Sequence, residues 1–154
     1  MGTLTTTRCY GDADYYQVFL QLVLPLLEHF NPQLVLVSAG YDCAEGDPLG
    51  RFSVSPQGFY VMSHLLLASR PVVFILEGGY DVGEPSEGRI AHQPLCTGVA
   101  ATLTALLEDP PHVEPQAFIE RVDPSWQSRV RSSTEEIVRL ARERAFTNFG
   151  CCAE

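Results

Sequence analysis

The stretch Leu34-Val35-Leu36-Val37-Ser38-Ala39-Gly40-Tyr41-Asp42 decides the fold. Four apolar residues in succession, followed by small residues and a glycine, read as a strand buried on both faces, as in a parallel sheet covered by helices. Pro71-Val72-Val73-Phe74-Ile75-Leu76 has the same character and ends on Glu77-Gly78-Gly79-Tyr80-Asp81. Before the first strand, Tyr15, Phe19, Leu22, Val23, Leu26, Leu27 and Phe30 recur at helical spacing, which predicts a helix capped by Asp12 and running to about His29. Pro25 falls inside that pattern and should kink or split it, and Asn31-Pro32 ends it. Between the strands, Ser55-Pro56 opens a second helix, proline suiting the first helical position, with Phe59, Met62, Leu65 and Leu66 on its buried face. A third helix is expected over about 94–107 with Val99, Leu103, Leu106 and Leu107 inward. Residues 109–126 are rich in proline and read as irregular, and a last helix should span about Ser133 to Phe146. There Ser132 or Ser133 serves as cap, and Glu135 and Glu136 in the first turn suit the helix dipole. Helix, strand, helix, strand, helix is an α/β order with parallel strands.

The 154 residues fit one domain or part of a larger one, and 45% hydrophobic against 19% charged residues is enough for a packed core. The formal net charge of −9 argues against direct nucleic-acid binding through phosphates. It suits solubility, and it also suits attraction of lysine-rich substrates. Cys9, Cys43, Cys96, Cys151 and Cys152 form an odd set without a Cys-x-x-Cys pair, so free thiols in a reducing interior are the simplest reading. The N-terminus has no apolar core of a secretory signal, and Met1-Gly2-Thr3-Leu4-Thr5-Thr6 is only a weak acylation match. No apolar run approaches the roughly 20 residues of a membrane span.

Ligand sites in open α/β sheets lie beyond the C-terminal ends of the strands. That rule selects two loops, 38–50 and 77–81. In the first, Ser38-Ala39-Gly40 lets the backbone turn and brings Asp42 to the strand mouth, where a carboxylate can ligate a divalent metal or simply stabilise a turn. Asp47, followed by Pro48, has the same two readings, with the proline favouring the turn. In the second, Gly78 and Gly79 permit positive φ or close approach, and Tyr80 is presented at the sheet mouth. Its phenol, protonated at neutral pH, can donate to an oxygen that becomes negative during amide hydrolysis, or can be an aromatic cover over a turn. The glycine pair hints weakly at phosphate, but no nucleotide-binding glycine pattern accompanies it.

Together the two loops carry more than either alone. Val37-Ser38-Ala39-Gly40-Tyr41-Asp42, then Gly46-Asp47-Pro48-Leu49-Gly50, then Leu76-Glu77-Gly78-Gly79-Tyr80 resembles the C-terminal part of the histone deacetylase catalytic domain. The likeness extends over roughly Asp12 to Asp109 and includes the first helix through Phe30-Asn31-Pro32. It implies a partial three-layer α/β/α fold of the arginase/deacetylase kind. It also implies zinc as cofactor and hydrolysis of acetyl-lysine in proteins such as histone tails. Asp42 takes the place of the family's second zinc-binding aspartate, and Tyr80 that of the tyrosine that polarises the acetyl carbonyl. Leu49, Gly78 and Gly79 would line the substrate tunnel. Glu77 stands where class I members have glycine, which makes the chain class II-like, whereas class IIa members carry histidine at the position of Tyr80. Polyamine-selective relatives carry an acid at the position of Leu49, so the leucine favours acetyl-lysine. Chromatin regulation, partners from deacetylase complexes, and a nuclear or cytoplasmic setting follow from the same resemblance. The sequence has no basic cluster of the nuclear-signal kind.

The chain departs from the family in what it lacks. The family's proton-transferring His-His pair and Asp-x-His zinc motif are absent: His29, His64, His92 and His112 are isolated, and none follows an aspartate by two positions. His29 and His64 read as surface or boundary residues of helices, and His92 and His112 as loop residues beside proline. One carboxylate does not hold a catalytic zinc, which ordinarily has three protein ligands. The chain alone is therefore expected to be inactive, either as part of a truncated deacetylase or as a remnant that binds partners; a glycine-rich nucleotide-binding module is a third class. The expected organisation is an unpatterned N-terminus over 1–11, the deacetylase-like part over 12–109, and a proline-rich segment with a C-terminal helix over 110–154. In that helix Arg139, Arg142 and Arg144 alternate with Glu135, Glu136 and Glu143 as a solvated face. The excursion 82–93 is longer than the family's usual turn after the tyrosine.

Overall fold

The computed structural model describes residues 9–80, 92–110 and 112–148. Most of the 82–93 excursion, and the cysteines at 151 and 152, lie outside them.

The first helical segment is split as Pro25 requires. Helix α1 spans Asp12–Val18, a π-helical turn spans Phe19–Val23, and α2 spans Leu24–Phe30. Proline has no N–H to offer the carbonyl four residues back, and that carbonyl, Gln21 O, accepts instead from Arg142 Nη1 of the C-terminal helix. The cap differs from the sequence expectation. Gly11 is the N-cap, and the Asp14 carboxylate reaches back to accept its N–H at 3.1 Å. Asp12 is free to bond elsewhere: its carboxylate accepts from Ser55 N at 2.7 Å and Ser55 Oγ at 2.6 Å. Asn31, in the left-handed region at φ 49°, ends α2.

Strands β1 (Val35–Ala39) and β2 (Val72–Leu76) pair in parallel, Val35 with Val72 through Ala39 with Leu76. Helix α3 (Pro56–Ser69) connects them, with Ser55 Oγ accepting from Gly58 N as its cap and Phe59, Met62, Leu65 and Leu66 buried. The strands are not buried on both faces. Val35, Val37 and Phe74 are half-buried toward the helices, whereas Leu36, Val73 and Ile75 are exposed on the other face, Leu36 at 64%. Among the described residues no element covers that outer face.

Helix α4 (Gln93–Leu107) forms, and of the four positions expected inward Val99 does pack on the core, half-buried, while the three leucines do not. Leu103, Leu106 and Leu107 are exposed, and the buried positions are Pro94, Gly98, Ala101, Thr102 and Ala105. Small residues win because α4 lies close to α3 and the first loop: a Cβ at Gly98 would stand 2.6 Å from Tyr41 Cδ1. Thr102 completes the contact by accepting the Tyr41 hydroxyl proton at 3.0 Å.

Residues 109–126, expected to be irregular, contain helix α5 (Pro115–Val122), and a 3-10 turn follows at Trp126–Arg129. Phe118, Ile119 and Trp126 join Ala13, Tyr16, Val61 and Leu65 in one core cluster. His64 is also core, at 1% exposure, rather than a surface or boundary residue. Its ring meets Tyr60 and Phe118 edge-on, and its Nε2 lies 3.4 Å from Glu108 Oε2, the same oxygen that accepts from the Tyr60 hydroxyl at 2.6 Å. Helix α6 (Ser132–Asn148) is tied at its start to α1, because Asp14 Oδ1 accepts from Arg131 N at 3.0 Å and Thr134 Oγ1 at 2.5 Å. Its outer face carries Arg139 between Glu136 and Glu143, as the charge alternation suggests. It is not wholly solvated, since Val138 and Thr134 are buried.

The C-terminal segment is therefore part of the core, and its removal should be costly. Phe118→Ala is expected to lower stability by about 3–5 kcal/mol, the range for deleting a buried aromatic side chain, read as a lower urea midpoint. Gly98→Val should cost about 1–3 kcal/mol by overpacking against Tyr41, despite valine's better helix propensity, read as a lower melting temperature.

Candidate functional site

Both candidate loops leave the sheet at the same end, because β1 and β2 are parallel and Ala39 is paired with Leu76. The pairing carries one residue further, Glu77 N donating to Ala39 O at 3.0 Å. Beyond it Gly79, at φ +65°, lays its backbone directly on the first loop: a Cβ there would lie 2.1 Å from Tyr41 N and 2.3 Å from Asp42 N. The glycine is needed twice over, for the left-handed backbone and for the approach. Gly78, at φ +114°, needs glycine for its backbone alone, with open space around it. So the residue next to Tyr80 touches the residue that carries the Asp42 carboxylate, and the side chains of both Asp42 and Tyr80 are exposed.

The first loop is held from several sides. A Cβ at Gly50 would overlap the Asp42 carbonyl oxygen at 1.6 Å, so the loop folds back on Asp42 itself. Asp47 takes the turn role of its two readings: its Oδ1 accepts from Leu49 N and Gly50 N, each at 2.8 Å. This leaves Leu49 73% exposed beside the site. The loop then returns alongside its own start, Val54 N donating to Cys43 O at 3.0 Å and Glu45 N to Val54 O at 2.9 Å. Tyr41, in contrast to its neighbour, turns inward at 4% exposure and packs on Phe59.

Behind Asp42 lies a mostly apolar cavity of about 290 Å³, lined in part by Tyr15, Val37, Tyr41, Cys43, Phe59 and Phe74. Burial pushes the Tyr15 hydroxyl well above the ordinary tyrosine range, with Cys43 and the Asp42 charge adding to it. Burial likewise pushes the Cys43 thiol up, against a hydrogen bond from Tyr15 that favours the thiolate. Burial thus disfavours the reactive thiolate form of Cys43 despite its place next to the site. On the second loop, Ser38 Oγ donates to Glu77 Oε2 at 2.6 Å, and His92 Nδ1 lies 3.3 Å from the Tyr80 carbonyl oxygen. His92 sits at the start of α4 with φ 59° rather than in a loop interior.

Among the described residues no group of three His, Cys, Asp or Glu side chains is placed to hold a metal ion. Asp42 is a single carboxylate, and these residues by themselves do not fit a catalytic zinc. His92 near Tyr80 and the Asp12–Ser55 pair at the loop's return were not singled out as site residues by sequence reasoning. Neither has a motif; both become visible only when the fold brings separate segments together.

The model of the histone deacetylase domain matches residues 3–94. Polyamine deacetylase HDAC10 of Homo sapiens is 43% identical over 102 residues, which are 65% of this chain and 14% of that protein. Histone deacetylase 18 of Arabidopsis thaliana is 34% identical over 139 residues, 89% of this chain and 17% of that protein, so the likeness reaches into the C-terminal segment. The crystal structure of the HDA15 HD domain superposes with a TM-score of 0.70 at 25% identity, covering 94% of this chain and 35% of that one. The chain thus spans a minor part of the relatives it matches, with a partial α/β fold of the arginase/deacetylase kind. By sequence and by fold, the chain belongs to the histone deacetylase family.

Proposed function

We propose that this chain is the C-terminal part of the catalytic domain of a class II-like, zinc-dependent protein lysine deacetylase. The observation that carries the reading is the seating of Gly79 on the Tyr41–Asp42 backbone, which makes one mouth out of two loops. Asp42 is assigned as one zinc ligand and Tyr80 as the hydrogen-bond donor to the amide oxygen as it becomes negative. Leu49, Gly78 and Gly79 are assigned to the substrate tunnel: the leucine offers an apolar wall, and the two glycines a backbone without side chains. The rest of the zinc shell and the histidine pair belong to motifs that the 154 residues do not contain.

Acetylated lysine in proteins such as histone tails is the proposed substrate, in the nucleus or cytoplasm, with deacetylase-complex proteins as partners. Leu49 supports this over a polyamine, the substrate class in the human relative's name, because an apolar side chain offers no charge to a second ammonium. A catalytically inactive remnant acting as an interaction module is the second reading. It is favoured by the lack of the His-His and Asp-x-His motifs, and the transcript upstream of Met1 separates the two. Both motifs in frame there would establish that the chain is truncated; an authentic stop codon just upstream would favour the remnant.

In a catalytically complete protein carrying these residues, Tyr80→Phe should preserve the fold and bound zinc and cut turnover of an acetyl-lysine peptide by about 10²–10³, the cost of one oxyanion donor. Near-normal turnover removes Tyr80 from the chemistry. Gly79→Ala should abolish turnover and also shift the amide resonances of Tyr41 and Asp42, because the added methyl has no room. Unchanged resonances would separate the two loops and overturn the assignment.

A further inference from the structure

We propose that Asp12 is a positioning residue for Asp42, acting through the returning limb of the first loop. This rests on the role assigned to Asp42 above, but the arrangement itself stands on the hydrogen bonds. Asp12 accepts both the N–H and the hydroxyl of Ser55. The carboxylate thereby fixes the direction of the Ser55 hydroxyl proton and leaves an oxygen lone pair for Gly58 N, which donates to it at 3.2 Å. Gly58 makes room, since a Cβ there would lie 2.3 Å from Asp12 Oδ1. One carboxylate therefore sets both the end of the loop and the start of α3.

From Ser55 the constraint passes along the chain to Val54, fully buried, whose N–H and carbonyl bond to Cys43 and Glu45 on either side of Ala44. Cys43 is bonded covalently to Asp42. A parallel tie runs from Tyr10 O, which accepts from Ser53 N at 2.9 Å. The limb that carries Asp42 is thus held against a limb anchored on α1, and the charged group in that anchor is the Asp12 carboxylate. Charge-assisted bonds of this kind are shorter and about twice as strong as neutral ones. A helix-dipole role alone would need an acid at this position but no contact with Ser55.

The test is amide hydrogen exchange and backbone resonances of the 154-residue chain, which do not depend on metal or on turnover. Asp12→Ala and Ser55→Ala are each expected to speed exchange of the Val54 and Glu45 amides by roughly tenfold or more and to shift the Asp42 and Gly50 resonances. The double variant should add little to either single one, as for residues in one network. The Val35 amide, which bonds to Pro71 O across the sheet, should exchange as in the parent. Asp12→Asn keeps the shape and one acceptor, and is expected to be intermediate; it also serves if Asp12→Ala does not fold. Parent-like Val54 and Glu45 exchange in a folded variant would overturn the proposal, and so would equal acceleration at Val35, which marks general destabilisation. Selective loosening together with parent-like turnover in a complete enzyme would overturn the positioning role of Asp12, whereas parent-like turnover of Asp42→Ala would sink the role given to Asp42 and leave the tether standing.

Discussion

The architecture depends on one turn of helix that presents two carboxylates in different directions. Asp12 and Asp14 begin α1, where the helix dipole already favours negative charge. Asp14, 5% exposed, accepts three hydrogen bonds and thereby joins its own helix start to the start of α6. Burying a carboxylate is costly unless its lone pairs are filled, and here they are. Asp12 does the same between α1 and the loop that precedes α3. Segments 43 and 117–120 residues away are brought into register by side chains two positions apart.

Much of this was legible in the sequence, and what was legible was local. The strands, the Ser55-Pro56 helix start with its buried face, and the break at Pro25 follow from periodicity and from proline's missing donor. The loops at 38–50 and 77–81 followed from strand ends and from the order of two motifs. What was not legible depends on tertiary distance. The inner face of α4 was read from leucines, but the neighbour is so close that Gly98, Ala101 and Ala105 are the residues that fit. His64 looked like a boundary residue, yet Tyr60 and Phe118 enclose it. Phe118, Ile119 and Trp126 sit among prolines and charges that hid their periodicity, and only the contact with Tyr16 and Val61 makes them core.

The site combines a mouth built of main chain with a side-chain anchor beneath it. Gly40, Gly50 and Gly79 lie around the Tyr41–Asp42 backbone, two of them close enough to exclude any side chain. Rotamer freedom is absent where the loops meet, so the placement of Asp42 is set by main chain rather than by packing of long side chains. Tyr41 turns the other way and roots the loop on α3 and α4 through Phe59 and Thr102. That division, adjacent residues facing opposite sides of the same loop, lets one carboxylate stay in solvent while its neighbour anchors it.

The outer face of the sheet, which no described residue covers, has an electrostatic consequence. Leu36, Val73 and Ile75 present a strip of aliphatic side chains to water on a molecule with a formal charge of −9. Mutual repulsion between like-charged copies keeps such strips apart over a distance set by the ionic atmosphere, about 10 Å at 0.1 M salt and about 3 Å at 1 M. The electrostatic barrier between such strips is therefore a function of ionic strength: dilute salt preserves it, and concentrated salt removes it.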